Sequence, residues 1–383
     1  MMHMASSSIP DDALLGGPLK FSLLMACTIF GVFSVDNPAN ADGLDFISGS
    51  YTNELHNINR TGSNYLHNRD NLNLISEAII NVNFSDKFLF HAVGTYDQVK
   101  DAQPNRDTYL QGHALRTKDI YFQYDDGKYG GQLGRITADF GTAWYMTPGL
   151  KATILDEDYA IWDKFGVTGW VRQNLGALGD VKVNASSFFL DTTSLSSTAF
   201  GERHRKTDWY GGPSNTGMPN SFSLSFNGSN IPAMPGFTWH IAALDQAVDF
   251  TIDANGNRLP TSRDELGFAV GASQAFNITD NLRSTTLAEV VRFQNKGGVP
   301  NVGRTYSTIG EALTYGKWRL EGTATLRSTD QPGTATITDN LITASIGYDF
   351  TKALSLDLGY QHAQFGSQYE DDVRSRLRYV ILF

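Results

Sequence analysis

The last eleven residues, Val373 to Phe383, carry two incompatible surfaces at alternate positions, which restricts this stretch to a strand between two different environments. Successive side chains of a strand point to opposite faces. Val373, Leu377, Tyr379, Ile381 and Phe383 share one face, interrupted only by Ser375, while Arg374, Arg376 and Arg378 share the other. A soluble sheet buries the apolar face and exposes the arginines. A sheet standing in lipid inverts this and turns the arginines toward a wet interior.

Composition favours the second arrangement. Hydrophobic residues make up 41% of the chain and the mean hydropathy is −0.27. Beyond the first 41 residues no apolar run approaches the roughly 20 residues a spanning helix needs. Alternating strands average out in any hydropathy window and stay hidden from it. An aromatic content of 12% with 37 glycines suits interfacial girdles and closely packed strands. The net charge of −10 argues against a nucleic-acid partner.

One apolar run, Phe21 to Val35, follows Lys20 and precedes the small residues Ala39 and Ala41, the layout of a secretory signal. Cleavage after Ala41 is expected, leaving residues 1–41 as a removed leader and 42–383 as one domain. The single cysteine, Cys27, lies inside that leader. Leu24 to Cys27 offers a competing lipoprotein-like box, poorly matched at Met25. Removal of Cys27 excludes disulfides, zinc–cysteine sites and thiol catalysis from the mature chain.

Sixteen segments then show strand character, near 44–54, 72–84, 87–98, 115–125, 128–137, 163–175, 180–190, 219–228, 236–247, 264–276, 281–293, 303–314, 317–328, 338–349, 354–365 and 372–383. Phe222, Leu224 and Phe226 oppose Ser221, Ser223, Ser225 and Asn227; Leu354, Leu356, Leu358 and Tyr360 oppose Ser355, Asp357 and Gln361. The segments near 281–293 and 303–314 give no clear face. Tight turns, such as those at 85–87, 125–128, 315–317 and 350–353, alternate with polar linkers at 55–70, 99–114, 138–162, 191–218 and 248–263.

The terminal Phe383, with Tyr379 four residues before it, resembles the closing strand of a bacterial outer-membrane β-barrel. In that family the aromatic end of the last strand is the signal read by the barrel-assembly machinery. The even strand count and the alternation of short turns with long loops fit the same family. Sixteen strands enclose more space than their own side chains fill, and the resemblance is therefore to the sixteen-stranded porins. It implies an all-β, transmembrane, antiparallel up-and-down barrel in the Gram-negative outer membrane, reached by export through the periplasm. The stretch from Leu133 to Trp144, with Pro148, Gly149 and the acids Asp156, Glu157 and Asp158, resembles the porin strand that runs into an inward-folded constriction loop. That likeness implies acids facing a basic wall, with Arg374, Arg376 and Arg378, then Arg319, Arg172 and Lys182, as the pore-lining candidates.

The function implied is passive diffusion of small hydrophilic solutes and ions, without cofactor, metal or energy source. The implied partners are outer-membrane lipid and lipopolysaccharide, the assembly machinery and two further copies in a homotrimer. Glu370, Asp371 and Asp372 are candidates for divalent cations bridging lipopolysaccharide phosphates, and Trp318, Trp239, Phe237, Tyr348 and Tyr360 for interfacial anchors. A substrate-specific channel and a closed structural or adhesive barrel stay open as alternatives. An enzymatic barrel needs a nucleophile and base at one depth. The strand histidines His91, His240 and His362 are scattered, and no nucleophile-elbow, zincin or phosphate-loop motif is present.

Overall fold

The computed structural model describes residues 45–100, 102, 105–199, 205–253 and 255–383, so the expected leader lies outside the described residues. Sixteen strands form one closed antiparallel sheet. In chain order they are β1 (Ile47–Ser63), β2 (Arg69–Asn83), β3 (Phe88–Gln98), β4 (His113–Asp125), β5 (Tyr129–Ala138), β6 (Ile161–Asn174), β7 (Asp180–Leu190) and β8 (Ser221–Ser229). There follow β9 (Phe237–Gln246), β10 (Glu265–Asn277), β11 (Leu282–Gln294), β12 (Gly303–Tyr315), β13 (Trp318–Asp330), β14 (Ile337–Asp349), β15 (Leu354–Phe365) and β16 (Gln368–Leu382). Each pairs with its sequence neighbours, and β1 pairs with β16 from Ser50↔Leu382 to Ser63↔Glu370. That seam removes the free edges an open sheet would present.

Every expected segment corresponds to one of these strands, and β7 and β15 match to the residue. Two boundaries move by four residues or more, the others by three or fewer. Residues 55–63, expected in a linker, continue β1, because inward-facing His56 and Arg60 stand opposite Asn73 and Arg69 on β2 and Arg376 and Asp372 on β16. For the same reason β16 begins at Gln368 rather than near 372. The 99–114 linker holds a two-residue strand, Thr108–Tyr109, lying parallel to β2.

Burial separates the two faces. Along β8, Ser221, Ser223 and Ser225 are buried while Phe222, Leu224 and Phe226 are exposed. In a closed sheet the exposed apolar set is the outer wall. Ile309, Leu320, Ile342 and Leu358 continue it around the barrel. At the short-turn rim Trp318, Tyr348 and Phe350 contact one another, with ring centroids 4.7 and 5.1 Å apart. Phe237 and Trp239 start β9 at the same rim, whereas Tyr360 lies toward the opposite end. No helix among the described residues is long and apolar enough to cross a bilayer.

An arginine at the middle of the outer wall tests this assignment. Ile342→Arg should weaken reversible folding into lipid vesicles by about 2–4 kcal/mol, read from denaturant titrations.

Candidate functional site: the lumen and its inner loop

The connection between β5 and β6, residues 139–160, packs on inward side chains over a wide arc of wall. Its root is apolar: Phe140 and Tyr159 join Phe188, Ala242, Leu244, Val291, Phe293 and Tyr306 in one buried cluster. Farther along, Leu155 packs with Leu341 and Ala363. Gly310 on β12 leaves room for this path, since a Cβ there would stand 2.7 Å from Pro148. The inner face is thus not uniformly polar: the arc that receives the loop carries large apolar groups.

Polar contacts fix the loop's course. Glu289, on β11 and almost fully buried, accepts hydrogen bonds from Thr142 N (2.6 Å), Thr142 Oγ1 (2.8 Å), Ala143 N (3.0 Å) and Tyr159 OH (2.5 Å). Two of these donors are backbone amides at the start of the helical turn Ala143–Met146, which has no side-chain cap of its own. Asp139 accepts from Asn184, Ser225 and Asn227 at 2.6–2.9 Å. His240 Nε2 accepts Gly141 N–H at 3.0 Å while Nδ1 meets Asn227 Oδ1 at 2.6 Å. The carbonyl of Pro148 accepts from Thr323 at 2.7 Å.

The three loop acids have different surroundings. Asp156 is fully buried and accepts from Thr308 at 2.7 Å. Burial pushes its pKa up to about 7, the charge of Glu289 adding to the effect and the Thr308 and Thr325 hydroxyls opposing it. Glu157 accepts from Thr153 within its own loop at 2.8 Å. Asp158 accepts from Tyr306, from Arg304 at 2.8 Å and from Arg327 at 3.3 Å. Burial alone would raise Asp158, but the Tyr306 hydrogen bond and the charges of Lys296, Arg304 and Arg327 outweigh it and hold the group below the usual carboxylate range.

The loop acids and the β16 arginines therefore do not meet. Arg374 is buried against Asp372 at 2.8 Å. Arg376 contacts Asp357 at 3.1 Å and Glu54 at 3.4 Å, and Arg378 contacts Glu54 at 3.3 Å. Arg319 joins them through Asp357 at 2.6 Å and also binds Asp349. Arg319, Arg376 and Arg378, with Lys317 and Lys352, line a cavity of about 860 Å3 at the short-turn rim. On the other side of that rim Arg172 is paired with Asp125 through two bonds of 2.7 and 2.8 Å, and Lys182 lies over the Trp170 ring at 4.7 Å.

Glu370, Asp371 and Asp372 do not form the expected cation cluster, because strand alternation splits them. Glu370 and Asp372 lie with Arg60, while Asp371, on the opposite face, accepts from Tyr360 (2.5 Å) and meets His362 (2.8 Å). No group of three potential metal ligands occurs among the described residues. Tyr379 pairs with Leu354 and Asn53. Phe383 exchanges backbone hydrogen bonds with Gly49, at 2.7 and 3.1 Å.

Sequence reasoning missed Glu289, Arg304 and Arg327. Glu289 and Arg304 stand on the strands whose faces could not be assigned. The cause is visible on β11 and β12: Leu287, Val291 and Phe293 face inward to receive the loop, and Ser284 and Thr286 face outward, where their hydroxyls bind Glu311.

No protein-family model matches the sequence, and no curated protein does. Solved structures match its shape. The outer membrane channel DcaP of Acinetobacter baumannii is 12% identical, with 88% of this chain and 96% of that one covered and a TM-score of 0.54. Pseudomonas aeruginosa OccK1 (OpdK) is 6% identical, covering 88% and 99%, with a TM-score of 0.53. In-vitro folded OmpT, an outer membrane protein of Vibrio cholerae in its trimer form, is 10% identical, covering 88% and 100%, with a TM-score of 0.51. At these identities the likeness is one of fold: a closed β-barrel of the kind found in outer-membrane proteins.

Two substitutions separate the forces on the loop, each read as the mobility of a nitroxide at Glu157→Cys. Glu289→Ala should loosen the loop at every pH, since several charge-assisted bonds at about 1.5–3 kcal/mol each are lost. Asp156 behaves differently. A carboxyl whose pKa is raised from 3.8 to about 7 favours the docked loop fully below its unfolded value and loses that contribution as pH climbs through about 7. Mobility should rise across that interval, and Asp156→Asn should flatten the profile.

Proposed function

We propose that the chain is a passive channel of the Gram-negative outer membrane, through which small hydrophilic solutes and ions cross in water. The observation that carries this reading is a closed wall with hydrocarbon side chains outside and ionised groups inside. The arc from β16 through β1 to β4 presents Glu54, Arg60, Glu77, Lys118, Arg376 and Arg378 inward. Loop 139–160, held on the facing arc, narrows the passage between them. Acids and bases lining a low-dielectric gap orient dipolar solutes and disfavour apolar ones.

Solutes move down their own gradients here; no cofactor takes part and no catalysis is involved. The strand histidines support the absence of catalysis: His91, His240 and His362 stand on separate strands and bond Asn81, Asn227 and Asp371. Residues 1–41 direct export through the periplasm, and Tyr379 and Phe383 serve as the signal for the barrel-assembly machinery. In the membrane the outer wall meets lipid and lipopolysaccharide, and copies of the chain associate as a homotrimer, a state in which the similarly folded OmpT has been solved.

Planar-bilayer recording under a salt gradient tests the channel. Stepwise openings with a defined reversal potential are expected; a sealed barrel gives neither. Replacing Arg376 and Arg378 together with glutamine should raise the cation-to-anion permeability ratio about twofold. Arg374→Gln should change it less, because Arg374 is buried against Asp372.

A further inference from the structure

We infer that the lumen contains a solute-binding chamber between the helical turn of loop 139–160 and strands β6–β10, shaped for a hydroxylated ring bearing one negative charge. The inference rests on the channel reading and assigns that channel a substrate class. The chamber measures about 700 Å3 and is lined by Tyr145, Met146, Lys182, Ser229, Thr238 and Ser273, among others. That volume lies in the range of small-ligand sites.

Its roof is an aromatic surface held in place. Tyr145 and Met146 project from the turn Ala143–Met146, and they are 56% and 41% exposed although they lie inside the barrel. Glu289 fixes the start of that turn through Thr142 and Ala143. The backbone that carries Tyr145 is therefore set before a ring settles against it, and only the tyrosine side chain has to order on binding. A sugar ring offers such a face in its C–H groups.

The wall supplies charge and hydroxyls. Lys182 makes no hydrogen bond or ion pair among the described residues; its ammonium rests over Trp170, which itself lies flat across Gly130, where a Cβ would come within 2.2 Å of the indole. The carboxylates that act on Lys182, Asp139 and Asp125, are engaged elsewhere: Asp125 by Arg172, and Asp139 by Asn184, Ser225 and Asn227. Lys182 is thus available to an incoming anion. The hydroxyls of Ser229, Thr238 and Ser273 also lack hydrogen-bond partners among the described residues, and they match the hydroxyls of a ring lying against Tyr145. A carboxylate on that ring completes the set at Lys182, a compact ammonium suited to a point charge.

Saturation-transfer NMR on the folded barrel in micelles, with glucuronate as probe and glucose and acetate as controls, reads binding whether or not the pore conducts. A failed conductance experiment therefore counts against the channel and not against the chamber. Transfer to the ring protons of glucuronate is expected, exceeding that to glucose or acetate. Lys182→Gln and Tyr145→Ala should each weaken glucuronate binding about tenfold, or about 1.4 kcal/mol, and Lys182→Arg should retain most of it. Absence of transfer to glucuronate, equal binding of acetate or glucose, or unchanged binding in both the Gln and Ala variants overturns the assignment.

Discussion

The seam between β1 and β16 is the constraint from which the rest of the molecule follows. Once Ser50 pairs with Leu382 and Ser63 with Glu370, the sheet has an inside and an outside, and alternation along each strand sorts residues between them. The sorting is reversed relative to a soluble protein. Hydrocarbon faces outward, and away from the loop's apolar footing the groups turned inward are largely hydroxyls, amides and ion pairs. Arg376, Asp357, Arg319 and Asp349 form such a chain across neighbouring strands.

The interior is lopsided because one connection lies inside it. From β7 round to β15 the wall receives the loop on apolar groups and hydroxyls interspersed with Glu289, Arg304 and Arg327; from β16 to β4 it is mainly ionic. Within the first arc Glu289 is a wall carboxylate whose hydrogen-bond donors belong to the loop. A carboxylate that accepts four hydrogen bonds tolerates burial at a depth where an unpaired one is strongly unfavourable.

Much of this was legible in the chain. Short turns and period-two alternation locate β7 and β15 to the residue, and the arginine row of β16 already indicates which face is wet. Three things were hidden, each for a physical reason. The extension of β1 through Arg60 depends on partners supplied by β2 and β16, so no local signal marks it. The faces of β11 and β12 read as confused because Leu287, Val291 and Phe293 point inward while Glu311 points outward, so both faces mix apolar and polar residues. The loop acids look interchangeable in sequence, yet Asp156 meets threonines and Asp158 meets arginines; only the path of the backbone decides which.

The position of Glu289 has a consequence for the order in which the molecule can be made. Its partners Thr142, Ala143 and Tyr159 lie 130–147 residues earlier in the chain. Throughout synthesis, and until β5 and β11 are part of the same cylinder, that carboxylate has only water for company and the aromatic root of the loop has no cover. The inner loop is therefore a late arrival, seated after the staves are joined, and its seating is a mark by which a finished barrel differs from a half-assembled one.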